Sequence, residues 1–371
     1  MKITRYLYVA AVLTALLVVL GAWRSFPNQA KEANGRESPP PKFEVDPFWP
    51  KPLPNNWVTG EVAATCVDSQ DHLFIVSRRN LTAKELRVAT PSPAIIEFDP
   101  AGNVVNSATP PVLPDGLHGC FVDYQDNLWI GGNGDAIVQK YSHDLSTLLL
   151  QIGEKGHFDS TDGTAAGTPL NSSHTLLNRP SDIAVDPTNG DVYISDGYGN
   201  HRVVVFDHEG NYLRQWGEAA TQAEADDGVG GKFLATVHGV NIGQDGLVYV
   251  NDRKGDRIQV FEKTGDFVRN IWIQKGVGIN NPASIGTAWD MAFSPDRSQT
   301  FIYDTDGEQE ILWIVGRESG ELLAGFGRSG HMAGEFTFLH TVAADSKGNL
   351  YTGETIDGRR VQKFKAVGRQ P

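Results

Sequence analysis

From about residue 45 the chain repeats one pattern of apolar and polar positions. A short alternating strand enters a turn rich in Asp, Gly and Asn, and a second apolar strand carrying an aromatic follows. The copies run from Cys66 to Val76, Phe121 to Ile130, Ile183 to Ile194, Val240 to Val250, Met291 to Tyr303 and Val342 to Thr352. The last residue before each turn serves as an anchor: Asp68, Asp123, Asp186, Gly243, Ser294 and Asp345, spaced 51 to 63 residues apart. Several copies add a third strand (Arg202–Phe206, Arg257–Phe261, Arg360–Phe364) and a fourth, such as Tyr212–Trp216. Four antiparallel strands make one blade. Six such units predict an all-β, six-bladed β-propeller over residues 45–366, its sheets packed face to face. The pattern does not say which terminal strand closes the ring. No helix-period segment of useful length follows residue 45.

The residues before the repeats read differently. Lys2 and Arg5 precede an apolar run from Tyr6 to Trp23. A basic start followed by an apolar stretch is an export signal, and this one also reaches the lower length limit for a membrane-spanning helix. A cut after Ala22 would place Leu20 at a position that prefers a small residue, which favours a retained anchor over a cleaved peptide. Residues 1–24 are therefore expected to be a signal peptide or membrane anchor and 25–44, with Pro39-Pro40-Pro41, a flexible linker; 367–371 form a tail. The protein is expected to be exported, periplasmic or extracellular, and to meet a membrane through its N-terminal segment.

Composition narrows the class. The net charge is −13 and no run of Lys or Arg interrupts it, which excludes a nucleic-acid binder. Two cysteines cannot build a disulfide framework or, alone, a thiolate zinc site. Cys66 and Cys120 stand in opposite phase on their strands, so they are not expected to pair. Cys120, two residues after His118, shares its strand face and is either a ligand or a buried apolar thiol.

The histidines follow the repeat. His118, His238 and His340 each stand five residues before an anchor, in repeats two, four and six. The same slot in repeats one, three and five holds Ala63, Ser181 and Trp289. The slot lies at the start of the innermost strand, at one mouth of the central channel. Alternate blades of six are about 120° apart, so three such imidazoles converge on the axis. Three imidazoles with an open fourth position match a catalytic zinc site, zinc being the expected cofactor. The alternative is three hydrogen-bonded histidines lining a mouth. The ends of the second strands return to that mouth with Ser77-Arg78-Arg79, Asp196-Gly197-Tyr198 and Asp252-Arg253. A tyrosine beside a metal and two guanidinium groups has its phenolate favoured and can act as a base. Arginine forks hold a carboxylate or polarise an oxygen. Structural alternatives are Tyr198 packed on Pro180, and Arg78 and Arg253 ion-paired with Asp196 or Asp252. Asp196 and Asp252 themselves read first as turn-stabilising.

The repeat phrase resembles the NHL repeat. At these residues the sequence is similar to peptidyl-α-hydroxyglycine α-amidating lyase, most closely over Pro180–Arg202 and Val250–Ile258. The resemblance implies zinc on His118, His238 and His340, a catalytic Tyr198, and active-site arginines at Arg78 and Arg253. It implies a reaction that splits an α-hydroxyglycine N–C bond into an amide and glyoxylate, on a peptide or small molecule carrying an α-hydroxyglycine-like group. The sequence departs from that family at Leu117, Val237 and Leu339, where the family has Pro, and at Ser77 and Phe338, where it has His and Met. Gly199 replaces a cysteine, so that family disulfide is missing. Thr341 replaces the Asp that holds a structural calcium, which puts calcium in doubt. A second reading is a non-catalytic NHL propeller, tethered to a membrane and binding a protein partner. A third, a lactonase-type hydrolase with calcium on carboxylate and Asn ligands, lacks an acidic set at the slots.

Overall fold

The computed structural model describes residues 39–368. The expected anchor at 1–24 lies outside them, as do most of the linker and residues 369–371 of the tail. Among the described residues no helix is long and apolar enough to cross a membrane.

Six four-stranded antiparallel sheets form the ring. Blade 1 comprises Val62–Val67, Leu73–Ser77, Ile95–Phe98 and Val104–Ala108; blade 2, Leu117–Val122, Leu128–Gly132, Ile137–Tyr141 and Leu148–Ile152. Blade 3 comprises Asp182–Val185, Val192–Asp196, Arg202–Phe206 and Tyr212–Trp216; blade 4, Val237–Ile242, Val248–Asp252, Arg257–Phe261 and Phe267–Trp272. Blade 5 comprises Met291–Phe293, Phe301–Asp306, Ile311–Gly316 and Leu322–Phe326. Blade 6 takes Leu339–Ala344, Leu350–Glu354 and Val361–Val367, and its outermost strand is Lys42–Val45, paired from Lys42 with Val367 to Val45 with Phe364. The start of the described chain thus closes the ring, from within the stretch assigned to the linker. The first strand of every blade touches the first strands of both neighbours, so these six strands surround the axis.

The packing explains the pattern. Leu73 and Ile75 face blade 6, whereas Phe74 and Val76 face blade 2. A second strand is therefore buried on both sides, and its sequence is a continuous apolar run rather than an alternation. Among the described residues six apolar clusters form, one at each blade junction. Each buried large apolar side chain contributes roughly 1.5–3 kcal/mol, so no blade is stable without its neighbours. Arginines pin the ends of the second strands. Arg202 Nε lies 2.9 Å from Asp196 Oδ2, Arg257 Nε 2.9 Å from Asp252 Oδ2, and Arg360 Nε 2.6 Å from Glu354 Oε1. Asp196 and Asp252 are thus structural, and they are not the partners of Arg78 or Arg253.

The cysteines correct one expectation. Cys66 and Cys120 form a disulfide between the inner strands of blades 1 and 2. Their phases are opposite, as the sequence says, but the inference drawn from it was inverted. Neighbouring blades present opposite faces to each other, so residues of opposite phase meet at the junction. The Cys66–Cys120 pair sits within the same apolar cluster for that reason. Cys120 is accordingly neither a ligand nor a free thiol. With the two cysteines 54 positions apart in sequence, loop-closure entropy gives about 4 kcal/mol. A Cys66→Ser, Cys120→Ser chain is expected to melt well below the oxidised protein in a thermal scan; equal midpoints would remove the bond from the stability of this junction.

Candidate metal centre

Each slot histidine stands at a break in its strand ladder. Register is lost between Leu117 and Cys120, between Val237 and Val240, and between Leu339 and Thr341. A bulge re-aims one side chain. Here it turns His118, His238 and His340 towards one another, with ring centroids 4.8–5.0 Å apart. The bulge also explains why Cys120 does not share the direction of His118. Gly119 makes the close approach possible, because a Cβ there would sit 2.5 Å from the carbonyl oxygen of Ser181.

The three rings are buried, and one ligand atom from each lies within 4.8 Å of the others. The odd-numbered blades supply their outer partners. His118 Nδ1 is 2.7 Å from Ser181 O, and His238 Nδ1 is 2.7 Å from Trp289 O. The equivalent carbonyl, Ala63 O, faces His340 without a closed hydrogen bond at Nδ1. A carbonyl accepts only, so Nδ1 carries the proton and Nε2 keeps its lone pair for the centre. Burial, then the charges of Arg78 and Arg253, push the His118 imidazole down to about 3. His238 and His340 are held well below their ordinary value, first by burial. Neutral rings with inward lone pairs are what a metal ion requires. The set fits three-coordinate binding with an open position.

The expected mouth residues gather on this centre. Gly197 packs against Val237, where a Cβ would meet the carbonyl oxygen at 2.0 Å, and so brings Tyr198 beside His238. The Tyr198 hydroxyl is 3.1 Å from Nε2 of both His118 and His238. Arg253 Nη1 donates to the same oxygen at 3.2 Å, and its guanidinium lies 4.6 Å from the Trp289 ring centroid. Among the described residues no carboxylate closes an ion pair with Arg253, and its buried Nε has no partner. Arg78 differs. It pairs with Glu61 through Nη1, and its Nε donates to Leu117 O at 3.0 Å.

Sequence reasoning missed three features. Glu61, the counterion of Arg78, had no signal beyond its place before the first strand. Trp289 stood in the slot series yet was given no role; it walls His238, His340 and Arg253. Asp182 and Asp290, each one residue past an odd-blade slot, line the central channel below the histidines, a space of about 270 Å³. Burial, and then the charge of Asp290, raises Asp182 well above the carboxylate range; Asp290 is pushed up to about 6, mainly by burial. Thr341 spends its hydroxyl on Asp290 Oδ2 at 2.7 Å and lies 3.0 Å from Thr65 Oγ1. The family's calcium carboxylate is therefore replaced by a hydroxyl committed to hydrogen bonds.

The fold is an all-β six-bladed propeller, and the NHL repeat model matches residues 177–206 within it. The propeller carries an NHL repeat and resembles peptidyl-α-hydroxyglycine α-amidating lyase. It is 26% identical to peptidyl-glycine alpha-amidating monooxygenase B of Xenopus laevis over 84% of this chain and 34% of that protein. It is 27% identical to a probable peptidyl-alpha-hydroxyglycine alpha-amidating lyase of Caenorhabditis elegans, over 46% of this chain and 43% of that one. NHL repeat-containing protein 3 of Mus musculus is also 27% identical, over 73% of this chain and 67% of its own length. The chain thus spans about a third of the Xenopus monooxygenase.

Proposed function

We propose that this protein is a zinc-dependent carbon–nitrogen lyase that splits an α-hydroxyglycine-type carbinolamide into an amide and glyoxylate. The observation that carries the reading is the convergence of three neutral imidazoles, the Tyr198 hydroxyl and the Arg253 guanidinium at one mouth. His118, His238 and His340 would hold the ion, which would supply Lewis acidity to a substrate oxygen. Arg253, which no carboxylate pairs with among the described residues, and Arg78 would hold the substrate carboxylate. Tyr198, as phenolate, would take the proton of the α-hydroxyl group, with Arg253 donating to its oxygen. The C–O bond becomes C=O, the C–N bond breaks, and its electron pair stays on nitrogen. Tyr198 returns the proton to that nitrogen, so atoms and charge balance. Export and membrane tethering through residues 1–24 belong to the same proposal.

The likeness to NHL repeat-containing protein 3, a name that states the repeat and no reaction, leaves one rival: a non-catalytic propeller that binds a protein partner. The two readings part on one assay. The chain is stripped with a chelator, reloaded with zinc and given N-benzoyl-α-hydroxyglycine. Glyoxylate is expected from the reloaded protein only. A zinc-loaded chain that releases none sinks the lyase reading and leaves the scaffold.

A further inference from the structure

The turn end of blade 1, away from the three histidines, breaks the ring's own pattern. In blade 2 the anchor Asp123 is met at 2.9 Å by Lys140, which stands opposite Trp129 in the sheet. In blade 6 Lys363 holds the same register, opposite Tyr351, and its charge acts on Asp345. At the next junction the anchor Asp186 of blade 3 is met by Lys263, which reaches over from the turn after the third strand of blade 4. Blade 1 has neither lysine. Opposite Phe74 stands Glu97, and the turn residue reaching over from blade 2 is His143.

Two carboxylates therefore share a place where blades 2, 3 and 6 set an ammonium near the anchor carboxylate. The side chains of Asp68 and Glu97 are 0% and 5% exposed, and among the described residues no Lys or Arg pairs with either. Their neighbours are imidazoles. His143 Nε2 is 3.0 Å from Asp68 Oδ2, and His72 Nδ1 is 2.6 Å from Glu97 Oε1. Asp68 Oδ1 is occupied by the backbone N–H groups of Gln70 and His72, at 2.9 and 2.8 Å, which leaves Oδ2 to the cluster. One donor atom each from Asp68, Glu97 and His143 lies within 4.8 Å of the other two. The His143 side chain is 32% exposed, so the cluster opens to solvent on that side.

Burying two carboxylates without a fixed cation is costly, and a dication removes the cost. We infer that Asp68, Glu97 and His143 form a second metal site, for a divalent first-row transition ion, across the seam between blades 1 and 2. One imidazole and two carboxylates suit zinc or a similar ion. His72 orients the Glu97 carboxylate from outside. The site crosses the junction that Cys66–Cys120 also crosses, so its role is structural. It does not depend on the lyase reading.

The test is equilibrium dialysis of the full chain against zinc, followed by metal analysis. Glu97→Lys copies the arrangement that blade 2 already folds with, so its effect on metal is not an unfolding effect. Glu97→Lys and His143→Ala are each expected to bind one zinc per chain fewer than the unaltered protein. His238→Ala, which removes a ligand of the other centre, is expected to keep one zinc, and to lose it when Glu97→Lys is added. Zinc is expected to raise the melting temperature of His238→Ala but not of the double variant. Zinc content unchanged by Glu97→Lys, or a His238→Ala chain with no zinc, overturns the site.

Discussion

The Tyr198→Phe chain is expected to fold, to bind as much zinc as the unaltered protein, and to lose a factor of about 10²–10⁴ in kcat on an α-hydroxyglycine substrate. The substitution removes one oxygen. The aromatic ring keeps its edge contacts with His118 and His238, at 5.1 and 5.7 Å between centroids. What goes is the only hydroxyl within reach of two imidazole nitrogens and a guanidinium among the described residues. If that oxygen moves the proton, its work is done in the transition state, so kcat falls and KM changes little. The loss corresponds to roughly 3–5 kcal/mol of barrier. Turnover like that of the unaltered chain would remove Tyr198 from the mechanism. Zinc lost together with turnover would make the tyrosine a ligand instead.

Much of this was legible because a propeller repeats its physics. Every blade must bury both faces of its second strand, so the apolar runs and their turns recur at blade spacing. A residue at one step of the repeat therefore has a known place in space, which is why His118, His238 and His340 could be placed on one axis. What failed was direction. The bulges at the three histidines are set by how a strand leaves the ladder, and residue counting along an ideal strand cannot show them; Cys120 was put on the wrong face for that reason. The disulfide was lost to a rule true within one sheet and reversed between two. Lys42–Val45 was hidden because its partner, Val361–Val367, lies at the other end of the repeats. Glu61 and the Asp182–Asp290 pair were in plain sight as residues, but a counterion and a channel lining exist only once neighbouring blades are set side by side. The seam cluster of blade 1 needed the same comparison: Glu97 is informative only against Lys140 and Lys363.

His238→Ala is expected to lose one zinc per chain and to cut glyoxylate release by about 10³-fold or more, the scale of the several kcal/mol that a Lewis acid supplies. His238 is one corner of a near-equilateral set: it is 5.0 Å from each of the other two rings, and it shares the Tyr198 hydroxyl with His118. Removing it also leaves the Trp289 carbonyl without its N–H donor, a cost of roughly 1–3 kcal/mol. That cost must be separated from the chemistry. It is read from the melting temperature of both chains after chelation, when metal stabilises neither. A modest drop there, with one zinc per chain and turnover both lost, assigns the loss to the centre rather than to the fold. Zinc content and turnover both unchanged by the substitution would mean that the three imidazoles hold no ion. The Nδ1 hydrogen bonds to Ser181 and Trp289 would then be only the way a propeller satisfies buried histidines at its mouth, and the Tyr198–Arg253 pair would be left without a reaction to serve.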